Sequence, residues 1–527
     1  MLLASGMTVA QSPSNPAINT VFESPSALAP QNRVDELVFA HWKQMGLPPA
    51  RLSSDAVFLR RVYLDVIGTL PTAEEAQSFL TSKDPKKRST LIDTLLEREE
   101  FADYWALRWS DALRIKAEFP INLWPNAAQS YHHWIHDALH EDKPYDEFAK
   151  ELLTSNGSDF RVAPVNFYRA MQNRDPKGIA QTVALTFMGT RAENWPPEKL
   201  EAMSVFFSHI GYKSTREWKE EIVFFDPTGE SGAEKRTPEQ LAAVSLPRQA
   251  TLPDGTRVQL TADQDPREAF ADWLTSPKNP WFSRAIVNRI WYWVMGQGLF
   301  ENPDEAGLNA KPENAALVSY LQQELVNSHF NLKHIYRLIL TSETYQLSSV
   351  PRGDRAKSQA NFASYTPRRL DAEVLIDALC QVTGTSEQYS SIVPEPYTFM
   401  PDGQRAISLP DGSISSAFLE QFGKPSRDTG LLTERNNTTT DGQRLHMLNS
   451  THVQRKIQQG QVLQDMAKNA KSPDDFVNSL YLTILSRYPS GEERGIALKK
   501  LQTGQRRDSA VDLAWALINS TEFLYRH

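Results

Sequence analysis

The sequence predicts a mainly α-helical protein in which two helical blocks are joined by a small β-containing insert. Apolar residues recur three and four positions apart through residues 33–212 and again through 266–527, which is the spacing of amphipathic helices. Residues 213–265 instead hold short apolar runs between turn dipeptides, as β-strands do. A chain of 527 residues also exceeds the roughly 250–300 at which one core usually stops growing, so we expect two domains.

The composition indicates a folded globular protein and excludes several classes of function. Hydrophobic residues make up 40% and charged residues 23% of the chain, as in proteins with a packed core. The net charge of -8 is spread without long runs of one sign, so we expect no nucleic-acid partner. The single cysteine, Cys380, can form neither an internal disulfide nor a c-type haem attachment, and we expect no cofactor.

The first 32 residues differ from the rest of the chain. Residues 1–10 are apolar and resemble the end of a signal peptide, although no basic stretch precedes them. Residues 11–32 are rich in Pro, Ser, Asn and Ala, which predicts an unstructured lead-in. We therefore expect a periplasmic or extracellular protein. No other segment reaches about 18 uninterrupted apolar residues, so we expect no transmembrane segment.

Residues 33–212 are predicted to form the first helical domain. Thr72, followed by Glu75 three positions later, predicts a capping box at the start of one helix. Helical periodicity marks the segments 33–46, 55–66, 73–82, 86–98, 101–115, 127–141, 145–154, 175–188 and 197–210.

The predicted insert, 213–265, contains two strand-like runs, Glu221 to Phe225 and Arg257 to Leu260. Residues 266–527 are predicted to form the second helical domain, interrupted by an irregular stretch at 384–439. A stretch of that length is usually functional. The predicted helices lie near 266–275, 280–296, 312–328, 331–343, 367–383, 440–459, 472–486, 490–503 and 507–525.

Specific strings resemble a pair of domain families. Phe58 to Pro71 and Phe101 to Asp111 resemble a planctomycete domain family of unknown function that is numbered fifteen forty-nine. Trp273 to Trp291 and Ser342 to Tyr345 are similar to its companion family, numbered fifteen fifty-three. The resemblance covers most of both helical blocks, and it implies an exported protein with no agreed reaction.

The resemblance also implies a cytochrome as one partner, because proteins of this pairing often occur fused to or encoded beside a cytochrome c domain. Many relatives carry a Cys-x-x-Cys-His string directly after the Phe-Met-Gly that is here Phe187 to Gly189. This chain continues with Thr190 to Trp195, which contains none of those ligands. A haem or metal role tied to that string is therefore not transferred to this chain.

The helix predicted to start at Asn279 is apolar nearly all round, yet it carries Arg284, Asn288 and Arg289. A buried guanidinium must find a carboxylate or several carbonyl groups, because an unpaired one costs several kcal/mol. Two interpretations stay open. The arginines form an internal ion pair with Asp304 or Asp371, or they line a pocket for an anionic or sugar-like ligand.

A second candidate set lies in the first block. Arg108, Asp111 and Arg114 follow one another at i,i+3 steps, which favours pairing along their own helix, as the i,i+4 spacing does for Arg61 and Asp65. Trp109 lies beside Arg108. An aromatic ring next to Arg and Asp is also typical of a site that stacks on a sugar ring or another planar ligand.

The densest group of histidines provides a weak metal-site candidate. His132, His136 and His140 fall on one helical face at i, i+4 and i+8, and two neighbours at this spacing can share a metal ion. A solvated polar face is the alternative interpretation.

Together these observations predict an exported protein that binds a partner protein or an extracellular polymer in a groove between its two helical blocks. A polysaccharide-directed hydrolase is an alternative, and an accessory to a cytochrome c electron-transfer partner is a second one. No string typical of a hydrolase nucleophile or a nucleotide-binding loop is present, so the sequence leaves open whether the chain is an enzyme.

Overall fold

The computed structural model describes residues 20–118, 123–228, 249–261, 263–503 and 506–527. Most of these residues lie in helices, and the strands form only sheets of two or three members. The predicted mainly α fold is therefore confirmed. The predicted signal segment 1–10, and the lead-in as far as residue 19, lie outside the described residues.

The helices of the first half begin and end close to the predicted segments. Thr72 Oγ1 accepts a hydrogen bond from Glu75 N while the Glu75 carboxylate accepts one from Thr72 N, so the predicted capping box is confirmed. The helices are α1 (Arg33–Met45), α2 (Asp55–Val66), α3 (Ala73–Thr81), α4 (Lys87–Leu96), α5 (Glu99–Ala112), α6 (Pro125–His140), α7 (Tyr145–Thr154), α8 (Asn166–Arg169), α9 (Pro176–Met188) and α10 (Pro197–Ser204).

In the second half, one predicted helix is divided in two. Residues 440–459 form two helices that meet at Ser450, whose hydroxyl caps the second by accepting from Val453 N. The helices are α11 (Pro266–Leu274), α12 (Pro280–Met295), α13 (Ala315–Asn327), α14 (Leu332–Leu340), α15 (Arg355–Ala360), α16 (Ala372–Thr383), α17 (Ala417–Gln421), α18 (Asp441–Asn449), α19 (Thr451–Gln459), α20 (Gln461–Asn469), α21 (Pro473–Leu485), α22 (Gly491–Thr503), α23 (Arg506–Ile518) and α24 (Thr521–Leu524).

The strands form three small antiparallel sheets. The first has the order β1–β3–β2, with Tyr212 opposite Val223, so a strand of the first block pairs with the predicted insert. The second is the hairpin β4–β5, and the third joins β6 to β7. Their bounds are β1 (Gly157–Ser158), β2 (Ile210–Ser214), β3 (Glu221–Phe225), β4 (Gln249–Thr251), β5 (Arg257–Gln259), β6 (Arg368–Arg369) and β7 (Tyr525–Arg526).

The buried apolar residues form one cluster that extends from Val34 in α1 to Phe523 in α24. The two halves of the chain meet inside this cluster. The ring of Trp293 in α12 lies 5.3 Å from Trp105 and 5.5 Å from Trp109 in α5, measured between ring centroids. Helices of both predicted blocks therefore share a packed interface, while the domain boundaries themselves stay a prediction.

None of the helices in the described ranges is both long enough and apolar enough to cross a lipid bilayer.

Candidate functional site

A cleft of about 800 Å³ opens beside the N-terminal end of α12. Four stretches of the chain line it. They are the segment 190–199 after α9, the turn of the β4–β5 hairpin at Pro253 and Asp254, the stretch 273–281 that leads into α12, and the stretch 305–310 that follows α12. We call it the tryptophan cleft, because Trp195, Trp273 and Trp281 all contribute to its lining.

Lys199 lies near two of the three tryptophans, and the third packs against one of those two. The rings of Trp273 and Trp281 lie 5.7 Å apart at an interplanar angle of 53°. Lys199 Nζ lies 4.2 Å from the ring centroid of Trp195 and 5.5 Å from that of Trp281. Burial lowers the pKa of Lys199, against the attraction of Asp254, which raises it. The cleft therefore presents flat apolar surfaces next to one cation.

Asp254 is fixed in the cleft by hydrogen bonds. Its carboxylate accepts from the indole Nε1 of Trp273 at 2.8 Å and from the backbone N of Thr256 at 2.8 Å. Burial acts to raise the pKa of Asp254, but the hydrogen bonds from Thr256 and Trp273 outweigh it and hold the pKa below its ordinary value. Asp254 is thus an ionised, oriented acceptor at neutral pH.

Arg284, predicted to bind a ligand, instead donates hydrogen bonds to the backbone of one wall of the cleft. Its Nε donates to the carbonyl of Ala306 at 2.6 Å, and its Nη2 donates to the carbonyl of Ala310. Its guanidinium lies 4.4 Å from the ring centroid of Phe300, and burial lowers its pKa. Because Ala310 lines the cleft, Arg284 positions the 305–310 wall through its backbone.

Asn288 and Arg289, the other two residues predicted on α12, also bind backbone groups. Asn288 donates to the carbonyl of Pro303 at 2.9 Å and accepts from Leu299 N at 2.9 Å. Arg289 Nη1 donates to the carbonyl of Thr186 in α9 at 2.9 Å. Among the described residues, carbonyl groups from neighbouring turns are the direct partners of these side chains, and Asp304 attracts the Arg289 guanidinium without forming a close ion pair with it.

Two domain families match the chain. Residues 33–194 match PSCyt2, a protein of unknown function (DUF1549), and residues 266–501 match PSD1, a protein of unknown function (DUF1553). The chain therefore contains both of these paired domains of unknown function. The resemblance of the two helical blocks is thereby confirmed. Neither the curated proteins nor the solved structures provide a match to the chain.

The tryptophan cleft lies where the two matched domains come together. Thr190, Arg191 and Asn194 belong to the PSCyt2 match, and the lining residues from Trp273 to Ala310 belong to the PSD1 match. Trp195, Lys199 and the β4–β5 turn come from the segment between the two matches. The cleft is therefore built jointly by PSCyt2, PSD1 and the connection between them.

The candidate set on α5 of the PSCyt2 domain lies away from the cleft lining and is buried. Asp111 pairs with Arg427 at 3.0 Å and with Arg435 at 2.7 Å, and both arginines come from the irregular stretch 384–439. Arg108 Nη1 lies 3.6 Å from Asp371. The prediction that these residues pair along their own helix is wrong, because residues distant in sequence supply their partners.

Trp109 and the other aromatic side chains of α5 belong to the core. The Trp109 ring packs 5.4 Å from Phe148 in α7 and carries the Arg289 guanidinium at 5.5 Å from its centroid. Only 1% of Trp109 is exposed. The predicted stacking on a ligand therefore has no accessible ring face at this position.

The three histidines of α6 differ in their surroundings. His132 is buried, and neither ring nitrogen has a hydrogen-bond partner among the described residues. His136 and His140 instead lie at the surface, where both approach Glu99, at 3.1 and 3.0 Å. No group of three or more His, Cys, Asp or Glu residues in the described ranges is arranged to hold a metal ion. The structure thus separates the predicted ligands.

The residues that line the cleft were not singled out by sequence reasoning. Trp281 is buried, whereas Trp195 and Trp273 are partly exposed. Trp195 precedes two prolines, and Trp273 and Trp281 flank a Ser-Pro turn between two helices, so each tryptophan lies next to a chain reversal. A search for tryptophans beside such turns, in and around the segment between the two domain matches, could have indicated the cleft.

Proposed function

We propose that the protein is exported and binds an extracellular glycan in the tryptophan cleft. The observation that carries the proposal is the combination of the partly exposed indole rings of Trp195 and Trp273 with fixed polar groups in one cavity. Sugar rings present an apolar face that packs on tryptophan and hydroxyl groups that hydrogen-bond to carboxylate, amide and ammonium groups. In the cleft, Trp195 supplies the aromatic ring, Asp254 the carboxylate, Lys199 the ammonium group and Asn194 the amide.

The charge of the lining narrows the class of glycan. Lys199, Lys278 and Arg191 are cationic, whereas Asp254 and Glu305 are anionic. Arg191 Nε and the Glu305 carboxylate lie 3.8 Å apart and offset each other. The remaining surplus is positive, so the cleft favours neutral or acidic sugar units over cationic ones.

Binding is better supported than hydrolysis. A glycosidase needs one carboxylic acid that stays protonated near neutral pH to protonate the leaving oxygen. Asp254 has the opposite property, because its hydrogen bonds lower its pKa. Asp254 is therefore unsuited to act as the proton donor of the polysaccharide hydrolase that the sequence left open.

The test measures binding of the full chain to a panel of soluble glycans by calorimetry, followed by single substitutions. Trp195→Ala should weaken binding of the recognised glycan about tenfold or more, since a stacked aromatic ring contributes on the order of 1.4 kcal/mol. Trp218→Ala is the matched control, because Trp218 is 65% exposed and does not line the cleft. Wild-type protein that binds no glycan, or equal losses in both variants, would overturn the proposal.

A second candidate function, binding of a partner protein, is favoured by an exposed apolar patch on the 384–439 stretch. Ile392 and Phe399 are 84% and 68% exposed, and the ring of half-exposed Tyr397 lies 5.1 Å from that of Trp124. Several large apolar side chains exposed within one short stretch are typical of an interaction surface.

The probe for this second candidate is a soluble c-type cytochrome, titrated against the full chain in a calorimeter. The double substitution Ile392→Ser with Phe399→Ser should abolish any binding. Ile496→Ser serves as the control, because Ile496 is 63% exposed and lies on α22. Binding that survives the double substitution would show that the cytochrome uses another surface.

A further inference from the structure

Arginines outnumber carboxylates in a buried cluster between α5, α16, β7 and the 384–439 stretch. We call it the arginine cluster. Its carboxylates are Asp65, Asp111, Asp371 and Glu373, and its arginines are Arg108, Arg368, Arg369, Arg427, Arg435 and Arg526.

The carboxylates of the cluster are already well paired. Arg526 bridges Asp65 at 3.0 Å and Asp371 at 2.6 Å, and Arg435 pairs with Glu373 at 2.6 Å. Burial acts to raise the pKa of Asp371, but the surrounding arginines outweigh it and hold the pKa well below its usual range. Asp371 is therefore ionised at neutral pH, and the positive surplus remains after it is counted.

Several guanidinium nitrogens in the cluster are buried without a hydrogen-bond partner. Arg108 Nη1, Arg369 Nη1, Arg368 Nε and Arg526 Nε all have this property among the described residues. Arg108 is held only by Asp371, across 3.6 Å. Buried donors of charged groups rarely stay unsatisfied, because each costs more than a neutral group would.

These arginines line a small, partly open cavity of about 40 Å³. Its polar lining consists of Arg108, Arg368, Arg369, Arg435, Arg526, Tyr292, Asn437 and the carboxylate Asp371, which is already paired with Arg526. A water molecule needs roughly 10–15 Å³ of such space, so the cavity has room for an ion of similar size with a companion water. A sugar or a hydrated phosphate is too large for it.

We propose that this cavity binds a monatomic anion of the size of chloride. The ion offsets the positive surplus and accepts hydrogen bonds from the unpartnered guanidinium nitrogens. Chloride fits both the volume and the donor set, because it accepts from several directions without the fixed geometry that a carboxylate requires. The site is independent of the tryptophan cleft, since no residue lines both.

The direct test is crystallographic. Crystals of the full chain are grown or soaked in sodium bromide, and anomalous diffraction is collected at the bromine absorption edge. An anomalous peak within hydrogen-bond distance of Arg108 and Arg369 is the expected result. A cavity with ordinary water density and no anomalous peak would overturn the proposal.

A solution measurement tests the same site without crystals. Thermal unfolding is followed in sodium chloride and in sodium gluconate at equal ionic strength. At about 100 times its dissociation constant, chloride should raise Tm by about 3 °C more than gluconate does. Arg108→Gln should remove this difference, and Arg33→Gln, at an exposed arginine outside the cluster, should preserve it. Equal Tm values of the wild type in both salts would contradict the proposal.

Discussion

In the tryptophan cleft, Lys199 and Asp254 lie at the edge of an open cavity, whereas in the arginine cluster Asp65 and Arg526 are almost completely buried. Asp254 in the cleft accepts its side-chain hydrogen bond from Trp273, 19 positions further along the chain. In contrast, Asp65 accepts hydrogen bonds from Tyr345, Tyr365 and Arg526. Charged side chains thus have different roles in the two regions. Those in the cleft remain available to a ligand, whereas those in the cluster form tertiary contacts between distant parts of the chain.

The comparison predicts that stability depends on the cluster far more than on the cleft. Asp65→Asn should lower the free energy of unfolding by about 3–5 kcal/mol, because it leaves Arg368 buried without a charged partner and removes one of the two carboxylates that pair with Arg526. Urea denaturation measures this loss.

Asp441→Asn is the control for this prediction, since Asp441 is 99% exposed in its pair with Arg444 and its substitution should give no measurable change. Equal effects of the two substitutions would contradict the assigned role of the cluster.

A second prediction tests how tightly the arginine cluster packs against the backbone at Gly296. Gly296 has φ +79° after α12, and an added Cβ would lie 2.3 Å from Arg368 Cδ. Gly403 has a similar φ of +77° but nothing within 4 Å of that position. Gly296→Ala should therefore destabilise the protein by about 2 kcal/mol more than Gly403→Ala, which carries only the backbone strain of roughly 1–2 kcal/mol.

Urea midpoints of the two glycine variants, measured side by side, provide the comparison. Matching midpoints would show that Arg368 can move aside at no cost, and that the cluster is less rigid than its contacts indicate.

A smaller effect is expected from the pH dependence of His132. Burial, followed by Arg427, holds the pKa of His132 well below 6.5, so the folded protein keeps it neutral. The unfolded chain takes up a proton as pH falls below about 6.5, so this contribution to stability is present above that pH and is lost below it. When the pH falls from 6.5 to 5.5, His132→Gln should therefore lose about 1 kcal/mol less unfolding free energy than the wild type does.

The control is His140→Gln on the same helix, since His140 is 54% exposed. Unfolding free energies at both pH values, measured for the two variants, give the comparison. If both variants retain the wild-type slope, His132 is not the group responsible.

Much of the fold was predictable because helices are encoded locally. The apolar spacing placed α7 at its observed bounds, and Thr72 with Glu75 predicted a real capping box. Local spacing failed for the charged residues. Asp65 follows Arg61 by one helical turn, yet its closest arginine partner is Arg526 near the other end of the chain. Helical spacing contains no information about such distant partners.

The candidate sites show the same limit. Arg284 was correctly placed on a buried, apolar helix, but its partners are the carbonyls of Ala306 and Ala310, which the sequence does not distinguish from any others. The tryptophan cleft was missed because its walls come from segments that are far apart along the chain. The sequence predicted two helical blocks, but it could not identify the residues that line a cleft between distant segments, since those depend on the fold.

The most direct test of the account separates the two regions in one experiment. Thermal unfolding is measured with and without the recognised glycan for Trp195→Ala and for Arg435→Gln. Trp195→Ala should lose the glycan-induced rise and lower the Tm without glycan less than Arg435→Gln does. Arg435→Gln should lower the Tm without glycan, since it leaves Glu373 buried and unpaired, and should keep the rise. A glycan-induced rise that persists in Trp195→Ala and disappears in Arg435→Gln would contradict the assignment of binding to the cleft.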